Sequence, residues 1–159
     1  MIDTTIRTAL SSAVADVLES MFFLEGLSEA AEPPPDAETV TVHLTFTGNP
    51  PGCFQMRLAC PAALTIAADF LGEDAESLTA QQSTDVTLEL ANMICGAVLS
   101  RTESSASFRL DTPQIVPQGT GQHVPDEKTR YTVETGSGTL TVAIQMETPI
   151  CLPTERYAS

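Results

Sequence analysis

Apolar residues recur at helical spacing near the start of the chain, at Ile6, Leu10, Val14, Val17, Leu18 and Met21. This predicts an amphipathic helix over about 3–24, ending before Gly26. Residues 29–38, with Pro33-Pro34-Pro35 among acidic residues, predict a loop. The period then changes to two. Val40, Val42, Leu44 and Phe46 alternate with Thr41, His43 and Thr45, and Phe54, Met56 and Leu58 alternate again after Gly48-Asn49-Pro50-Pro51-Gly52. That pattern predicts a hairpin with one buried face. Pro61 opens a helix over 62–71, and Gly72 stops it. A polar stretch over 73–82, around Leu78, leads to the longest helix, about 84–101, with Ser83 or Thr84 as its cap and Asp85 in its first turn. Residues 107–110 read as a short strand broken by Asp111-Thr112-Pro113, and 118–128 read as a loop. Strands over 130–135 and 139–147 are joined by a turn at Gly136-Ser137-Gly138.

The order α-β-β-α-α-β-β-β has runs of consecutive strands. Such runs favour an α+β fold, an antiparallel sheet with helices packed against it, because parallel pairs need longer crossovers. A chain of 159 residues suits a single domain spanning 1–159.

Charge narrows the partners. With 21 acidic and 7 basic residues and a formal charge of -14, the chain has no clustered cations for nucleic acid or for an anionic lipid face. No apolar run reaches membrane-spanning length, and the early Asp3 does not suit a signal peptide, so a cytoplasmic location is expected. Cys53, Cys60, Cys95 and Cys151 form no C-x-x-C pair, and a chain this size needs no disulfide. Cys53 and Cys95 sit among apolar residues, as small hydrophobes do. His43, on the outward phase of its strand, is expected to face solvent, and His123 falls in a Gly-rich loop. Neither has metal-ligand spacing to a cysteine or carboxylate.

The central helix carries the candidate chemistry. At about 100° per residue, Val86, Leu90, Met93, Ile94 and Ala97 form one broad face, which Thr87, Ala91 and Val98 extend. What remains is a narrow stripe of Asp85, Glu89, Asn92, Gly96 and Ser100. Glu89 and Asn92 are three residues apart, so their side chains are neighbours. Two readings stand at this point. Any helix against a sheet shows water a polar stripe, and that alone accounts for these residues. Alternatively, the carboxylate grips a cation on a partner, the amide orients a water without exchanging protons, and Gly96 lets a partner's backbone approach. The second arrangement has no strong nucleophile. It suits a substrate that brings its own metal and reactivity while the helix supplies position.

The segment Asp85-Val86-Thr87-Leu88-Glu89-Leu90-Ala91-Asn92-Met93-Ile94-Cys95-Gly96 resembles the E-x-x-N signature of the CheC/CheX chemotaxis phosphatases. The first helix, through Ala13-Val14-Ala15-Asp16-Val17-Leu18-Glu19-Ser20-Met21-Phe22, resembles the opening helix of CheX-like domains. The resemblance implies a phosphatase acting on the aspartyl phosphate of a response-regulator receiver domain. Glu89 would pair with a receiver lysine and Asn92 would orient the attacking water as the catalytic pair, with Asp85, Gly96 and Ser100 in the partner contact. It implies no cofactor on this chain, the Mg²⁺ coming from the receiver. CheC-like members carry a second E-x-x-N on the first helix, but here its asparagine position is Phe22, which is expected in the core. The single site is closer to CheX, and it implies a homodimer through sheet edges, for which strand 139–146 is a candidate. The alternatives are a non-catalytic adaptor that binds a receiver through the same Glu89/Asn92 face, and a flagellar-switch-like structural module.

Overall fold

The computed structural model describes residues 2–21, 28–29, 38–48, 51–102, 108–116, 130–135 and 138–146. Along the chain these form α1 (Ile2–Met21), β1 (Ser28–Glu29), β2 (Thr39–Thr47), β3 (Gly52–Ala59) and α2 (Cys60–Leu71). A single 3-10 turn (Ala75–Ser77) leads to α3 (Ala80–Thr102), followed by β4 (Arg109–Leu110), β5 (Gln114–Val116), β6 (Arg130–Glu134) and β7 (Thr139–Met146). The fold is α+β. Every strand pairing is antiparallel, in the order β1-β6-β7-β3-β2-β4 with β5 also on β2.

The alternation in β2 and β3 produces the expected hairpin, with Val42 opposite Met56 and Leu44 opposite Phe54. These residues are buried, as are Leu140, Val142 and Ile144 on β7. Leu10, Val14 and Leu18 of α1, Ile66 of α2, and Val86, Leu90, Ile94 and Val98 of α3 join the same cluster. Burying each large side chain of this kind contributes about 1.5–3 kcal/mol, so this face holds the three helices on the sheet. The opposite phase of the strands is polar. One row across it runs Thr41, Arg57, Thr141, Thr132, and the last two hydroxyls hydrogen-bond at 2.8 Å.

Pro61 stands in the first turn of α2, as expected, and Gly72 ends the helix in the left-handed region at φ 68°. The structure departs from the sequence pattern elsewhere. α3 begins at Ala80, so neither Ser83 nor Thr84 caps it, and Asp85 lies beyond its first turn. The cap is reciprocal: the Gln82 N–H donates to Thr79 Oγ1 at 3.0 Å, and the Thr79 N–H donates to Gln82 Oε1 at 2.9 Å. The strand broken at Asp111-Thr112-Pro113 resumes as β5, because both pieces pair with β2 and Asp111 stays hydrogen-bonded to Thr45 between them. Glu29, placed in a loop by the sequence, pairs with Val133.

Strand β7 is not an edge. It lies between β3, which pairs residues 140–146, and β6, which pairs residues 139–143, so most of its backbone is already taken. His43 is half-buried rather than solvent-facing, since Gln55 and Gln114 flank it on neighbouring strands. Burial holds its pKa below the usual histidine value. Cys53 lies on the polar phase between Thr45 and Gln145, not among apolar residues. Phe22, His123, Cys151, the loop 118–128 and the first two residues of the turn 136–138 lie outside the described residues.

Candidate functional site

Helix α3 is held along its length. The Thr79/Gln82 cap fixes its start, and its buried face packs on the sheet and on α1 and α2. Within it, the buried Thr87 satisfies its hydroxyl by donating to the Ser83 carbonyl at 2.8 Å. Near its end, Arg101 Nε donates to Ser12 Oγ at 3.1 Å, its Nη1 donates to the Ala97 carbonyl at 3.0 Å, and its Nη2 pairs with Asp16. Arg101 therefore ties α3 to the exposed stripe of α1.

Asp85, Glu89 and Ser100 are exposed, and Asn92 and Gly96 are half-exposed, so all five predicted stripe residues reach the surface. They are not equivalent. Asp85 accepts a hydrogen bond from Gln81 Nε2 at 2.8 Å, and Ser100 donates its hydroxyl to the Ala97 carbonyl at 3.0 Å. Both are engaged by their own helix. Among the described residues, neither the Glu89 carboxylate nor the Asn92 amide has a side-chain partner. The two are left together, one charged acceptor and one neutral donor–acceptor, aimed away from the core. Among the described residues, a Cβ built at Gly96, one turn beyond Asn92, meets nothing within 4 Å.

The stripe offers no nucleophile. Cys95 stands between Asn92 and Gly96 in sequence but is fully buried, and burial pushes its thiol up to about 12. The Ser100 hydroxyl has no base beside it among the described residues. No group of three or more His, Cys, Asp or Glu among the described residues is arranged to hold a metal ion. This surface can dock a partner, accept a cation and orient a water molecule. Sequence reasoning missed Gln81, which takes Asp85 out of the free set; an (i, i+4) Gln–Asp pair on a helix was the available signal.

The family model for the chemotaxis phosphatase CheX matches residues 40–136, more than half of the chain. The chain belongs to the CheX family. The match includes the whole of α3 and therefore the Glu89/Asn92 stripe of this CheX-family chain. A CheX from Desulfovibrio desulfuricans aligns with a TM-score of 0.68 at 20% identity, covering 89% of this chain and 99% of that one. A CheX from Vibrio vulnificus aligns at 0.68 and 23% identity, covering 89% and 96%. A CheX-CheY-BeF3-Mg²⁺ complex from Borrelia burgdorferi aligns at 0.66 and 15% identity, covering 89% and 97%. At these identities the likeness establishes the CheX fold. No curated protein matches the chain.

Proposed function

We propose that this CheX-family chain docks the α3 stripe on a phosphorylated receiver domain and accelerates hydrolysis of its aspartyl phosphate. One observation carries the reading: on a helix largely packed into the core, the exposed Glu89 and the half-exposed Asn92 stand side by side, without side-chain partners among the described residues. Membership in a phosphatase family and the Borrelia CheX-CheY complex support it. Trifluoroberyllate is a mimic of a phosphoryl group, so that complex is the kind of assembly proposed for this chain.

The Glu89 carboxylate accepts a charged hydrogen bond from a receiver lysine and sets the register of docking. The Asn92 amide reaches the phosphorylated aspartate and holds a water in line with the P–O bond to be broken. The water oxygen bonds to phosphorus, the bond to the aspartyl oxygen breaks, and the water proton leaves with inorganic phosphate. An amide neither gains nor loses a proton near neutral pH, so Asn92 acts by position. Mg²⁺ would be supplied by the receiver and would neutralise charge that builds up in the transfer. The self-association that the family resemblance implies uses a surface other than the paired length of β7.

The test is dephosphorylation of receiver domains from the same organism in Mg²⁺, with wild type and Asn92→Ala in parallel. Wild type is expected to speed phosphate loss, by about a hundredfold or more over the variant if positioning is the main effect, while the variant still binds. Binding without acceleration by wild type would make the chain a receiver adaptor. Absence of both would leave the stripe as the wet face of a helix.

A further inference from the structure

The polar phase of the sheet carries a compact block of four side chains. On the paired strands β2 and β3, Thr41 stands opposite Arg57 and His43 opposite Gln55. Residues two apart on a strand share a face, so all four lie on the same side of the sheet. The helices pack on the other side, against Val42, Leu44, Phe54 and Met56. Each of the four can donate a hydrogen bond, from a hydroxyl, a guanidinium, an imidazole N–H or an amide. Among the described residues, none of these side chains has a hydrogen-bonding or ionic partner. Arg57, His43 and Gln55 are half-buried. Thr41 is only 6% exposed, so its hydroxyl has given up water without gaining a hydrogen bond, which is costly.

The charge around the block is also out of keeping with the chain. Acidic residues outnumber basic ones by 21 to 7. Yet the flanking positions on this face are Gln114 and Val116 of β5 and Thr141 and Ala143 of β7, none of them a carboxylate. Arg57 is left as a cation without an anion beside it. We infer that this block is a binding site for a phosphate group, with Arg57 as its cation and Thr41, His43 and Gln55 as further donors. A guanidinium fork engages two oxygens of an oxyanion. That exhausts a carboxylate, whereas a phosphate keeps further oxygens for the three neutral donors. Opposite residues on paired strands have Cβ atoms about 4.5–5.5 Å apart, so the four donors border an area that suits one phosphate. The group is either free inorganic phosphate or the phosphate of an ester. The site lies across the sheet from the α3 stripe and does not rest on the phosphatase reading.

Isothermal titration calorimetry at fixed ionic strength tests the site, with inorganic phosphate and glycerol 3-phosphate as probes. Wild type is expected to bind at least one of them with a Kd below about 10 mM. Tighter binding of glycerol 3-phosphate supports an ester as the occupant, and tighter binding of inorganic phosphate supports the free ion. Arg57→Gln should weaken binding about tenfold or more, and Thr41→Val several-fold. Arg101 lies on the helix side of the sheet, tied to α1, so Arg101→Gln should bind as wild type does. Urea midpoints in phosphate-free buffer separate binding from folding. There Thr41→Val should match or exceed wild type, because it removes a buried hydroxyl that has no partner among the described residues. No binding of either probe by wild type, wild-type affinity in Arg57→Gln, or an equal loss in Arg101→Gln would overturn the inference. A lowered midpoint in Thr41→Val would overturn it too, by showing that the hydroxyl serves the fold.

Discussion

In the proposed docking, Glu89 and Asn92 would offer one partner different things. Glu89 carries the charge of the pair, so Glu89→Gln keeps its size and removes its attraction for a cation. Receiver affinity should fall by less than about tenfold, as for an exposed ion pair, and the loss should shrink at high salt. Titrations at two ionic strengths measure both, and an equal loss at low and high salt would sink the lysine contact. His43 belongs to a different account. Its pKa is depressed by burial, so the unfolded chain binds more protons at and below the ordinary histidine value of 6.5. Stability is therefore full well above that value and is lost as pH falls through it toward the lower folded pKa. Gln55 and Gln114 beside it are uncharged, and the cation Arg57, diagonal to it, offers the imidazolium no relief. Urea midpoints between about pH 8 and about pH 5.5 should show a weaker acid loss in His43→Gln than in wild type. At this scale the sequence was legible where helical period alone decides, as for Glu89 and Asn92. It was not legible for Asp85 and Ser100, whose hydrogen bonds to Gln81 and Ala97 depend on side-chain rotamers.

As an element, α3 positions the pair through its two ends and its buried face. The cap at Thr79 satisfies donors that a helix start otherwise leaves open, and Thr79→Ala should lower stability by about 1 kcal/mol in urea unfolding, with Thr79→Ser close to wild type. Arg101→Ala should cost less than about 1 kcal/mol, because the Arg101–Asp16 side chains are 30% and 62% exposed and water already screens them. A larger loss would mean that the α1 contact is structural rather than superficial. The early start of α3 was written in the chain as Thr79-x-x-Gln82, a capping-box spacing. The first turn lacks apolar residues on the core face, so hydrophobic period begins only at Val86 and places the helix start too late. Pro113 explains the opposite case: it supplies no N–H to a ladder, so a single edge reads as one strand and a break, and only pairing with β2 shows β5 as its continuation.

At the scale of the molecule, the stripe is held in place because the other side of the same helix is core. Leu90 lies between Glu89 and Asn92 in sequence and is fully buried, so Leu90→Ala should destabilise the domain by about 2–5 kcal/mol while the stripe keeps its chemistry. Urea unfolding measures the first part. Dephosphorylation well below the unfolding midpoint checks the second, and lost activity in a folded Leu90→Ala would show that core packing sets the geometry of the site. The formal charge of -14 adds a field that favours cationic surfaces on any partner. The sequence by itself determined the classes of element, the buried phase of the β2–β3 hairpin, and the pairing of Glu89 with Asn92 on one helix face. Each follows from local period, where neighbours along the chain fix direction. Only the tertiary structure decided the strand order. It put β7 at the interior of the sheet, although its Leu140–Ile144 run of apolar and small residues fits an edge or a centre equally by alternation alone. It also decided which stripe residues lack partners among the described residues, and that His43 is half-buried. These depend on what lies across the fold, and contacts between distant residues carry no local period.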